Sequence, residues 1–486
     1  MNFTLDPAAA EPLHRQVYDG LRAAILSGEL GAGERLPATR SLAETLSLSR
    51  ATISEAYGQL RAEGYIHGRR GSGTFVAVDL PAAPVPNGKS VVAAGTRRAP
   101  VRLSDWGRRV ASLNVSNLPR NAAEEAYNFD LRPHRLAEDL FPWEGWRAAA
   151  DRALSRERSS LLMYPPAQGH PDLLEAIASH VARYRTVQCS ADQIVMVNGT
   201  QQGLNLLAQL LLEPGDRVAV EDPGYPTARA ALEARALEVV RVPVDFEGIS
   251  VDAMAEGLPF RLIHVTPSHQ EPTGATLSLS RRLGLLDLAQ HTGCYVLEDD
   301  YDSEFRYEGH PVESLQGLDR NGLVLYAGTF SKSVLAGLRL GFLVIPRNLV
   351  RQVIEGKRLW DSGSPMLEQA VLAEFIRSGD FERHIRRSRR EYRIRRDALI
   401  GSLSHHFGER IDVGERHGGL NVLVRMTVGL DEKQIVQRAA REGIGLRSAA
   451  AYYSAPPAVP TFLLGFAALS AERITEAVER LSAALD

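Results

Sequence analysis

The sequence has little cysteine, no long apolar run and almost no net charge. Its 486 residues include two cysteines, too few for a disulfide framework or a cysteine-rich zinc site. We therefore expect a reducing compartment and no metal site. No apolar run approaches the ~20 residues that a membrane span requires. The first residues, MNFTLDPAAAEP, lack the basic and apolar regions of a signal peptide, which predicts a cytoplasmic protein with no membrane contact.

Charge is balanced, with 56 Lys and Arg residues against 59 Asp and Glu residues and a formal net charge of −3. This balance argues against a wholly basic protein that coats nucleic acid and against an acidic solvating tail, and it leaves room for a local basic site. The length predicts two or three domains, and 44% hydrophobic residues are enough for a sizeable core.

One stretch differs in composition from the rest of the chain. Residues 81–110 are rich in proline, glycine and alanine and carry six Lys or Arg residues but a single Asp. Such a segment buries little and is typical of an exposed linker. We therefore predict a head of residues 1–80, a basic linker of residues 81–125 and a body of residues 126–486.

The head shows three helical patterns followed by two short β segments. In the first helix, Leu13, Val17, Leu21 and Ile25 recur every four residues on one face. LPATRSLAETLSL predicts a second helix, and SRATISEAYGQLRAEG a third, with Ser49 as its N-cap. YIHGRRGSGTFVAV then places a glycine-rich turn between two β segments. Three helices and a β-hairpin predict a winged helix-turn-helix.

A helix-turn-helix presents the first turn of its second helix to DNA base edges. The candidate DNA contacts in that turn, in the preceding helix and in the wing are Arg40, Ser49, Arg50, Thr52, Arg69, Arg70 and Gly71. The alternative is a small protein-interaction domain with an arginine-bearing surface. Composition slightly favours that alternative, because residues 1–80 hold eight arginines and nine acidic residues. The helical pattern nevertheless favours DNA binding.

The amino-acid sequence of this segment supports DNA binding more strongly than its helical pattern does. Residues 33–76, GERLPATRSLAETLSLSRATISEAYGQLRAEGYIHGRRGSGTFV, resemble the winged helix of the GntR family of bacterial regulators. The matching motifs are LPATR, SRAT, AYGQLRAEGY and GSGTFV. The resemblance implies double-stranded operator DNA as the partner, contacted at Arg40, Ser49, Arg50, Thr52, Arg70 and Gly71.

The body alternates helical stretches with short apolar runs. The runs are QIVMV (193–197), DRVAVED (216–222), LIHVTP (262–267), CYVLEDD (294–300) and LVLYAG (323–328). Strands that alternate with helices predict a mostly parallel sheet covered on both faces. Ligands of such sheets bind beyond the carboxyl ends of the strands, so the polar groups that end these runs are the candidate site.

A lysine follows the last of these runs. Lys332 lies between two serines in YAGTFSKSVLAGLRLGF, where a lysine can form a Schiff base with an aldehyde cofactor. Thr329, Ser331 and Arg339 can hold the phosphate of such a cofactor. Taken alone, a lysine at a strand end is more often a solvated surface group.

Two further motifs suit the same cofactor. In VLEDDYDSEF, Asp299 can pair with a protonated pyridine nitrogen, and Tyr301 can reach a ring hydroxyl. In VNGTQQG, Gly199, Thr200 and Gln201 open an apolar helix whose exposed N–H groups can bind phosphate. A solvated acidic loop and an ordinary strand-to-helix turn are the alternatives.

Two loops rich in proline and glycine complete the pattern. Tyr225 of EDPGYPTAR can stack on a flat ring, and His269 and Gln270 of TPSHQEPTG can line its other edge. Each is equally explained by loop chemistry around proline and glycine.

Together these motifs resemble the large domain of fold-type I pyridoxal 5′-phosphate (PLP) enzymes, the aspartate aminotransferase class, from Tyr164 to Gly341. The resemblance implies PLP as the cofactor. Lys332 would form the Schiff base with it, while Asp299 and Tyr301 would meet the ring nitrogen and the ring hydroxyl. The other implied contacts are stacking by Tyr225 and phosphate binding by Gly199, Thr200, Gln201, Ser331 and Arg339.

A GntR-like head, a basic linker and an aminotransferase-like body in one chain resemble the MocR regulators. The motifs SHQ-x-PTG and EDDYDSEF resemble those of MocR members more closely than those of free aminotransferases. The expected fold class is α/β, a winged helix-turn-helix followed by a fold-type I aminotransferase-like domain.

The sequence departs from the aminotransferase pattern at two positions. Leu463, just before the expected strand LGFAAL, stands where aminotransferases place the arginine that clamps the substrate carboxylate. Glu271 stands where they have the asparagine of NPTG. Arg229 or Arg447 could replace the clamp, but the sequence places neither. These changes lower the expectation of efficient transamination and favour members that sense PLP itself and control its synthesis.

The leading hypothesis is a homodimeric regulator in which PLP, with or without a small amine or amino-acid effector, modulates operator binding. The first alternative is a working aminotransferase with an accessory DNA-binding head, and weak transaminase activity remains compatible with the leading hypothesis. The second is a DNA-binding protein whose body is a cofactor-free dimerisation scaffold. The presence of Lys332, Asp299, Tyr301 and Arg339 makes the second the least favoured.

Overall fold

The computed structural model describes residues 5–79, 102–113, 126–255, 257, 259–309, 312–415 and 417–486. The chain divides into two compact units, Met1–Arg102 and Leu103–Asp486. Within the described ranges, no helix combines the length and apolar character needed to cross a membrane.

The head is a winged helix-turn-helix, as predicted. Its helices are α1 (Leu13–Leu26), α2 (Thr39–Leu46) and α3 (Arg50–Ala62), and its strands are β1 (Arg35–Leu36), β2 (Ile66–Arg69) and β3 (Gly73–Val76). The strands form an antiparallel sheet in the order β1-β3-β2. The wing is the turn between β2 and β3.

The predicted apolar face of α1 forms the centre of the head. Val17 and Leu21 are fully buried against Ile53 and Leu60 of α3 in a single apolar cluster. Such burial contributes roughly 1.5–3 kcal/mol for each large side chain. The N-cap of α3 is as predicted, since the Ser49 hydroxyl accepts a hydrogen bond from the Thr52 backbone N–H at 3.1 Å.

The body contains thirteen helices, α4–α16, and thirteen strands, β4–β16, among the residues described. In chain order they are α4 (Asp105–Ser112), β4 (Phe129–Asp130), α5 (Trp143–Arg156), α6 (Pro171–Arg185), β5 (Ile194–Val197), α7 (Thr200–Leu211), β6 (Arg217–Asp222), α8 (Pro226–Ala234), β7 (Glu238–Asp245), β8 (Gly248–Ile249), α9 (Val251–Ala255), β9 (Leu262–Val265), α10 (Leu279–Thr292), β10 (Tyr295–Asp300), α11 (Leu315–Leu318), β11 (Val324–Thr329), β12 (Gly341–Val344), α12 (Val350–Asp361), α13 (Met366–Arg377), α14 (Asp380–Phe407), β13 (Ile411–Val413), β14 (Asn421–Met426), α15 (Glu432–Arg441), β15 (Ile444–Gly445), β16 (Thr461–Gly465) and α16 (Ala471–Leu485).

The large sheet has eight strands in the order β5-β12-β11-β10-β9-β6-β7-β8. All five apolar runs singled out in the sequence are strands of this sheet, and the pairs β11–β10, β10–β9, β9–β6 and β6–β7 are parallel. β12 is antiparallel to both β11 and β5. As a result β5, β6, β9, β10 and β11 all end at one edge of the sheet, which we call the carboxyl edge.

A smaller sheet, β13-β14-β16, lies in the C-terminal part of the body. Leu463 pairs with Leu423 across β14 and β16, in the middle of the strand. The sequence analysis placed Leu463 just before a strand starting at residue 464, so that boundary is wrong. The strand begins at Thr461 because the buried run TFLLG supplies all five of its residues.

Part of the stretch expected to be linker has regular structure. Asp105–Ser112 form α4, which begins with the Ser104 hydroxyl accepting from the Gly107 backbone N–H. The Arg109 side chain donates to the Ala234 carbonyl at the end of α8, at 2.7 Å. These residues therefore belong to the body. Residues 81–101 and 114–125 of the expected linker lie outside the described residues.

A buried ion pair links α6 to the carboxyl edge. The Arg185 guanidinium donates to Asp300 at 2.6 Å, and Tyr326 donates to the same carboxylate oxygen at 2.6 Å. We expect Arg185→Ala to reduce the free energy of unfolding by about 3–5 kcal/mol, because it leaves a buried carboxylate without its cation.

Urea unfolding followed by tryptophan fluorescence measures this loss. The matched control is Arg347→Ala, which breaks the exposed pair with Asp192 and is expected to cost about 0–1 kcal/mol. Equal losses in the two variants would show that the Arg185–Asp300 pair does not stabilise the body.

Candidate functional site

Lys332 lies just beyond β11, where it is half-buried at the carboxyl edge. Burial lowers the pKa of this lysine, and the negative charges of Glu271, Asp302 and Asp299 partly oppose that effect. The lysine is therefore closer to losing its proton than an exposed lysine is, which favours nucleophilic chemistry.

The two adjacent aspartates of β10 have different environments. Asp300 is engaged by Arg185 and Tyr326, and it also accepts from the Ser303 hydroxyl at 2.9 Å. Asp299 Oδ2 lies 3.4 Å from the His264 ring Nε2. The Oδ1 atoms of both aspartates are buried and have no hydrogen-bond partner among the described residues. The difference is that the charge of Asp300 is paired with the Arg185 guanidinium, whereas Asp299 is next to a histidine and leaves its charge for a ligand.

The N-terminus of α7 forms the second part of the edge. Gly199 precedes this helix with a φ of 82° and has no side chain to cap it. The positive φ favours glycine, and a Cβ at Gly199 would come within 2.5 Å of Arg339 Nη2 and force this guanidinium to move. The N–H groups that open α7 and the Arg339 charge make this corner suitable for an anion.

The turn that carries Lys332 is held by its neighbours. The Thr329 hydroxyl lies 3.1 Å from the Ser331 hydroxyl and accepts from the Ser331 backbone N–H at 3.2 Å. The Arg339 guanidinium donates to the Asn198 carbonyl at 3.2 Å, next to Gly199. The predicted hydroxyls and guanidinium therefore lie on the turns that adjoin Lys332 and α7.

Of the predicted ring contacts, His269 and Tyr301 touch each other. The Tyr301 hydroxyl lies 3.0 Å from His269 Nδ1, which is also 3.1 Å from Asp302. Tyr225 begins α8, and burial together with the charges of Glu271 and Asp299 raises its pKa. The Tyr225 side chain is therefore a neutral phenol at physiological pH.

Gln270 has a structural task that the sequence did not reveal. Its amide donates to Glu221 and to the carbonyls of Pro223 and Glu271, all within 3.1 Å. These bonds tie its loop to the end of β6. Gln201 is different, since its Oε1 is buried with no partner among the described residues.

Two residues near Lys332 were missed by the sequence analysis. His134 Nε2 lies 3.0 Å from Glu271 Oε1, and the Tyr452 hydroxyl donates to the same oxygen at 3.1 Å. No local pattern marks His134 or Tyr452, because 318 positions separate them. The left-handed φ of 66° at His134, rare for a non-glycine residue, is a signal that only the structure supplies.

The two arginines considered as a carboxylate clamp occupy the same region. Arg229 donates to the Ala451 carbonyl at 3.1 Å. The Arg447 carbonyl accepts from the Leu463 backbone N–H at 3.2 Å. The positive charge of the Arg447 guanidinium acts to lower the pKa of Tyr452. Both arginines therefore lie beside the short turn Ala450–Tyr452.

On the head, the predicted DNA contacts lie on the surface. The exposed set is Arg40, Ser49, Arg50, Arg69, Arg70 and Gly71, and Thr52 is half-buried with its hydroxyl 2.8 Å from that of Ser49. Arg40 pairs with Glu44 at 3.2 Å, and Arg69 lies over the Phe75 ring at 5.3 Å. Ser49, Arg50 and Thr52 share the beginning of α3.

Two family models match the chain, one for each unit. The model described as bacterial regulatory proteins, gntR family, matches residues 13–76, and the model for aminotransferase class I and II matches residues 135–481. The second covers more than half of the chain.

Relatives and solved structures agree with these matches. The probable rhizopine catabolism regulatory protein MocR of Rhizobium meliloti is 35% identical over 99% of this chain and 95% of its own length. The HTH-type pyridoxine biosynthesis transcriptional regulator PdxR of Corynebacterium glutamicum is 30% identical over 95% of this chain and 93% of its own. The kynurenine aminotransferase of Pyrococcus horikoshii, solved in complex with PMP, is 27% identical, covers 79% of this chain and 95% of its own, and gives a TM-score of 0.68.

The carboxyl edge suits PLP by its own geometry. Asp299 Oδ1 offers a buried acceptor for a protonated ring nitrogen, the N-terminus of α7 beside Arg339 offers an anion site for a phosphate, and Lys332 offers an amine whose pKa is lowered. The chain belongs to the MocR-type family of GntR-class transcriptional regulators, in which a winged-helix head is joined to a PLP-binding body with the fold-type I aminotransferase fold.

Proposed function

We propose that this protein is a homodimeric, cytoplasmic regulator whose binding to operator DNA depends on PLP held at Lys332 and on a small effector. The observation that carries the proposal is the carboxyl edge, where a half-buried lysine, an unpartnered carboxylate oxygen and a helix N-terminus suited to an anion adjoin one another. When bound, PLP supplies an aldehyde that combines with amines and a ring that absorbs visible light.

The proposed contacts follow from the positions of the side chains. Asp299 holds a proton on the ring nitrogen, and His264 orients this carboxylate from behind. Tyr301 and His269 meet the ring hydroxyl, and Tyr225 stacks on the ring. The phosphate is held by the remaining set, which is Gly199, Thr200, Gln201, Thr329, Ser331 and Arg339.

A sensor is favoured over a working aminotransferase. Catalysis of amino-acid exchange requires the carboxylate to be held in one orientation, usually by a bidentate arginine. Here Leu463 is buried in an apolar cluster with Leu423, Ala449 and Tyr452. Its side chain offers no hydrogen bond to a carboxylate. A regulator needs only a ligand that binds its two DNA-binding states with different affinities.

The names of the relatives suggest what is regulated. One relative is named for rhizopine catabolism and another for pyridoxine biosynthesis. We propose that the target genes of this protein serve vitamin B6 or amino-compound metabolism.

A second copy of the chain is the proposed partner of the body. Leu162, Met163 and Tyr164 are consecutive and 86%, 72% and 94% exposed. Three adjoining exposed apolar side chains are unusual on a monomer and typical of an interface. An operator read by two heads also requires two copies, because each winged helix reads one half-site.

We expect Lys332→Ala to abolish the visible absorbance band of the PLP-loaded protein, because the amine that would combine with the aldehyde is removed. The measurement is an absorption spectrum after PLP incubation and dialysis. Lys433→Ala, at an exposed lysine of α15, is the control and should retain the band.

The same variant tests regulation by PLP. The affinity for a DNA duplex should differ between the PLP-loaded and PLP-free wild-type protein and should be insensitive to PLP in Lys332→Ala. An unchanged visible band, or a PLP effect that survives the substitution, would contradict the role of Lys332.

We expect Arg50→Ala to weaken DNA binding by about tenfold or more, because a guanidinium at the start of α3 contacts base edges or phosphates. The probe is a duplex selected by the wild-type protein from a random-sequence library, and the readout is fluorescence anisotropy. PLP uptake should be unchanged. Arg158→Ala, at an exposed arginine of the body, is the control. Loss of PLP uptake in Arg50→Ala would contradict the separation of reader and sensor.

We expect Met163→Asp to convert the dimer to a monomer of 53.2 kDa, because a carboxylate in an apolar interface loses its hydration without gaining a partner. Sedimentation velocity measures the change. Phe246→Asp, at an apolar side chain 77% exposed between β7 and β8, is the control and should remain dimeric. A dimeric Met163→Asp protein would place the interface elsewhere.

A further inference from the structure

A cluster of four side chains lies beside Lys332 and is not used by the proposed cofactor contacts. We call it the amine subsite; its members are His134, Glu271, Tyr452 and Leu463. Glu271 follows β9, His134 follows β4, and Tyr452 and Leu463 come from the C-terminal part of the body. All four are buried or nearly so, with His134 the most accessible at 10% side-chain exposure.

Glu271 brings a negative charge into this subsite. Burial raises the pKa of its carboxyl group, but His134, Lys332 and the Tyr452 hydroxyl outweigh burial and hold the pKa below its usual value. Glu271 is therefore ionised at neutral pH. An ionised carboxylate accepts hydrogen bonds and donates none, and it repels a second carboxylate.

His134 is neutral and presents an acceptor. Burial and the Lys332 charge lower the pKa of its imidazole. Because Glu271 is the acceptor at 3.0 Å, Nε2 of His134 carries the proton and Nδ1 carries the lone pair. That Nδ1 is buried and has no hydrogen-bond partner among the described residues. A ligand with an N–H or O–H group would satisfy it.

The backbone of His134 indicates that this placement has a cost. Its φ of 66° lies in the left-handed region, which is unfavourable for a residue with a Cβ and a bulky ring. The Asn421 side chain accepts from the His134 backbone N–H at 3.2 Å and helps to hold the conformation. Strain of this kind persists where the surrounding structure requires a particular side-chain position.

Leu463 packs with Tyr452 in one apolar cluster, so it brings hydrocarbon rather than a polar group to the Tyr452 side of the subsite. Arg229 is engaged with the Ala451 carbonyl. Arg447 lies near Tyr452, and its charge lowers the pKa of that phenol against the larger effects of burial and Glu271. The polar groups of the subsite itself, on Glu271, His134 and Tyr452, thus offer a negative charge and acceptors.

We propose that the amine subsite binds an effector whose ammonium group pairs with Glu271, whose neighbouring N–H or hydroxyl group donates to His134 Nδ1, and which carries no carboxylate. This rests on the proposed function, since the effector is the ligand that modulates operator binding. It narrows the effector from amines and amino acids in general to amines and amino alcohols. An α- or β-amino acid would place its carboxylate against Glu271 and the Leu463 wall.

Matched pairs of small probes test the preference directly. The pairs are 2-aminoethanol with glycine and 3-aminopropan-1-ol with β-alanine, in which a CH₂OH group replaces the carboxylate. Isothermal titration calorimetry and the visible spectrum of the PLP-loaded full-length protein report binding. We expect each amino alcohol to bind about tenfold or more tightly than its amino acid. Equal or tighter binding of the amino acids, or no binding of either amino alcohol, would overturn the proposal.

Substitutions assign the preference to particular side chains. Glu271→Gln should weaken the amino alcohols and reduce the discrimination to about threefold or less, while the visible band is retained. Glu213→Gln, at an exposed residue after α7, is the control and should keep the wild-type ranking. Loss of the band in Glu271→Gln would assign Glu271 to the cofactor and overturn its role in the subsite.

Leu463→Arg should reverse the ranking, because a guanidinium on the wall pairs with a carboxylate. Should this variant not fold, the wild-type ranking still decides the proposal. Failure of the proposed function can be distinguished from failure of the amine subsite. If the wild-type protein gains no visible band from PLP, the cofactor assignment is wrong. A normal band with amino acids preferred rejects the amine subsite alone.

Discussion

The half-buried charge of Lys332 is the constraint on which the rest of the body site depends. An ammonium group removed from water costs several kcal/mol unless anions face it. The anions whose charges act on Lys332 are Glu271, Asp302 and Asp299. They come from the loop after β9 and from the end of β10, while the lysine follows β11. The parallel pairing of these strands brings the three segments to one edge. The strand pairing that builds the sheet therefore also places the anions beside the lysine.

Asp299 and Asp300 are adjacent in β10, but their carboxylates lie on opposite faces of the sheet. Successive strand residues point to opposite faces. Asp300 is therefore paired with Arg185 and Tyr326. Asp299 meets His264 and keeps an oxygen without a partner among the described residues. Asp300 also keeps one oxygen without a partner among those residues, so the two residues differ in that the charge of Asp300 is neutralised by an arginine and that of Asp299 is not. A shift of one residue in the register of β10 would exchange these two environments.

Much of the fold could be predicted from local patterns, and the exceptions have physical causes. The five apolar runs are strands, and Ser49 caps α3, because these features depend on neighbouring residues. β7 was missed because Pro243 and charged residues interrupt a half-exposed strand. β12 was missed because it is only four residues long and its first two, Gly341 and Phe342, end the segment that was interpreted as a lysine motif. Within the expected linker, α4 was missed because its eight residues show little apolar periodicity.

By itself, the sequence determined the order of the two units, the three helices and wing of the head, and the residue types and spacing at the strand ends of the body. Those are properties of adjacent residues, and they also carry the resemblance to a known family. Only the tertiary structure decided that Arg185 pairs with Asp300 rather than with Asp299, and that His134 and Tyr452 meet Glu271. These contacts join segments as far as 318 positions apart. Their formation depends on how the sheets bring distant segments together, which no local pattern of residues encodes.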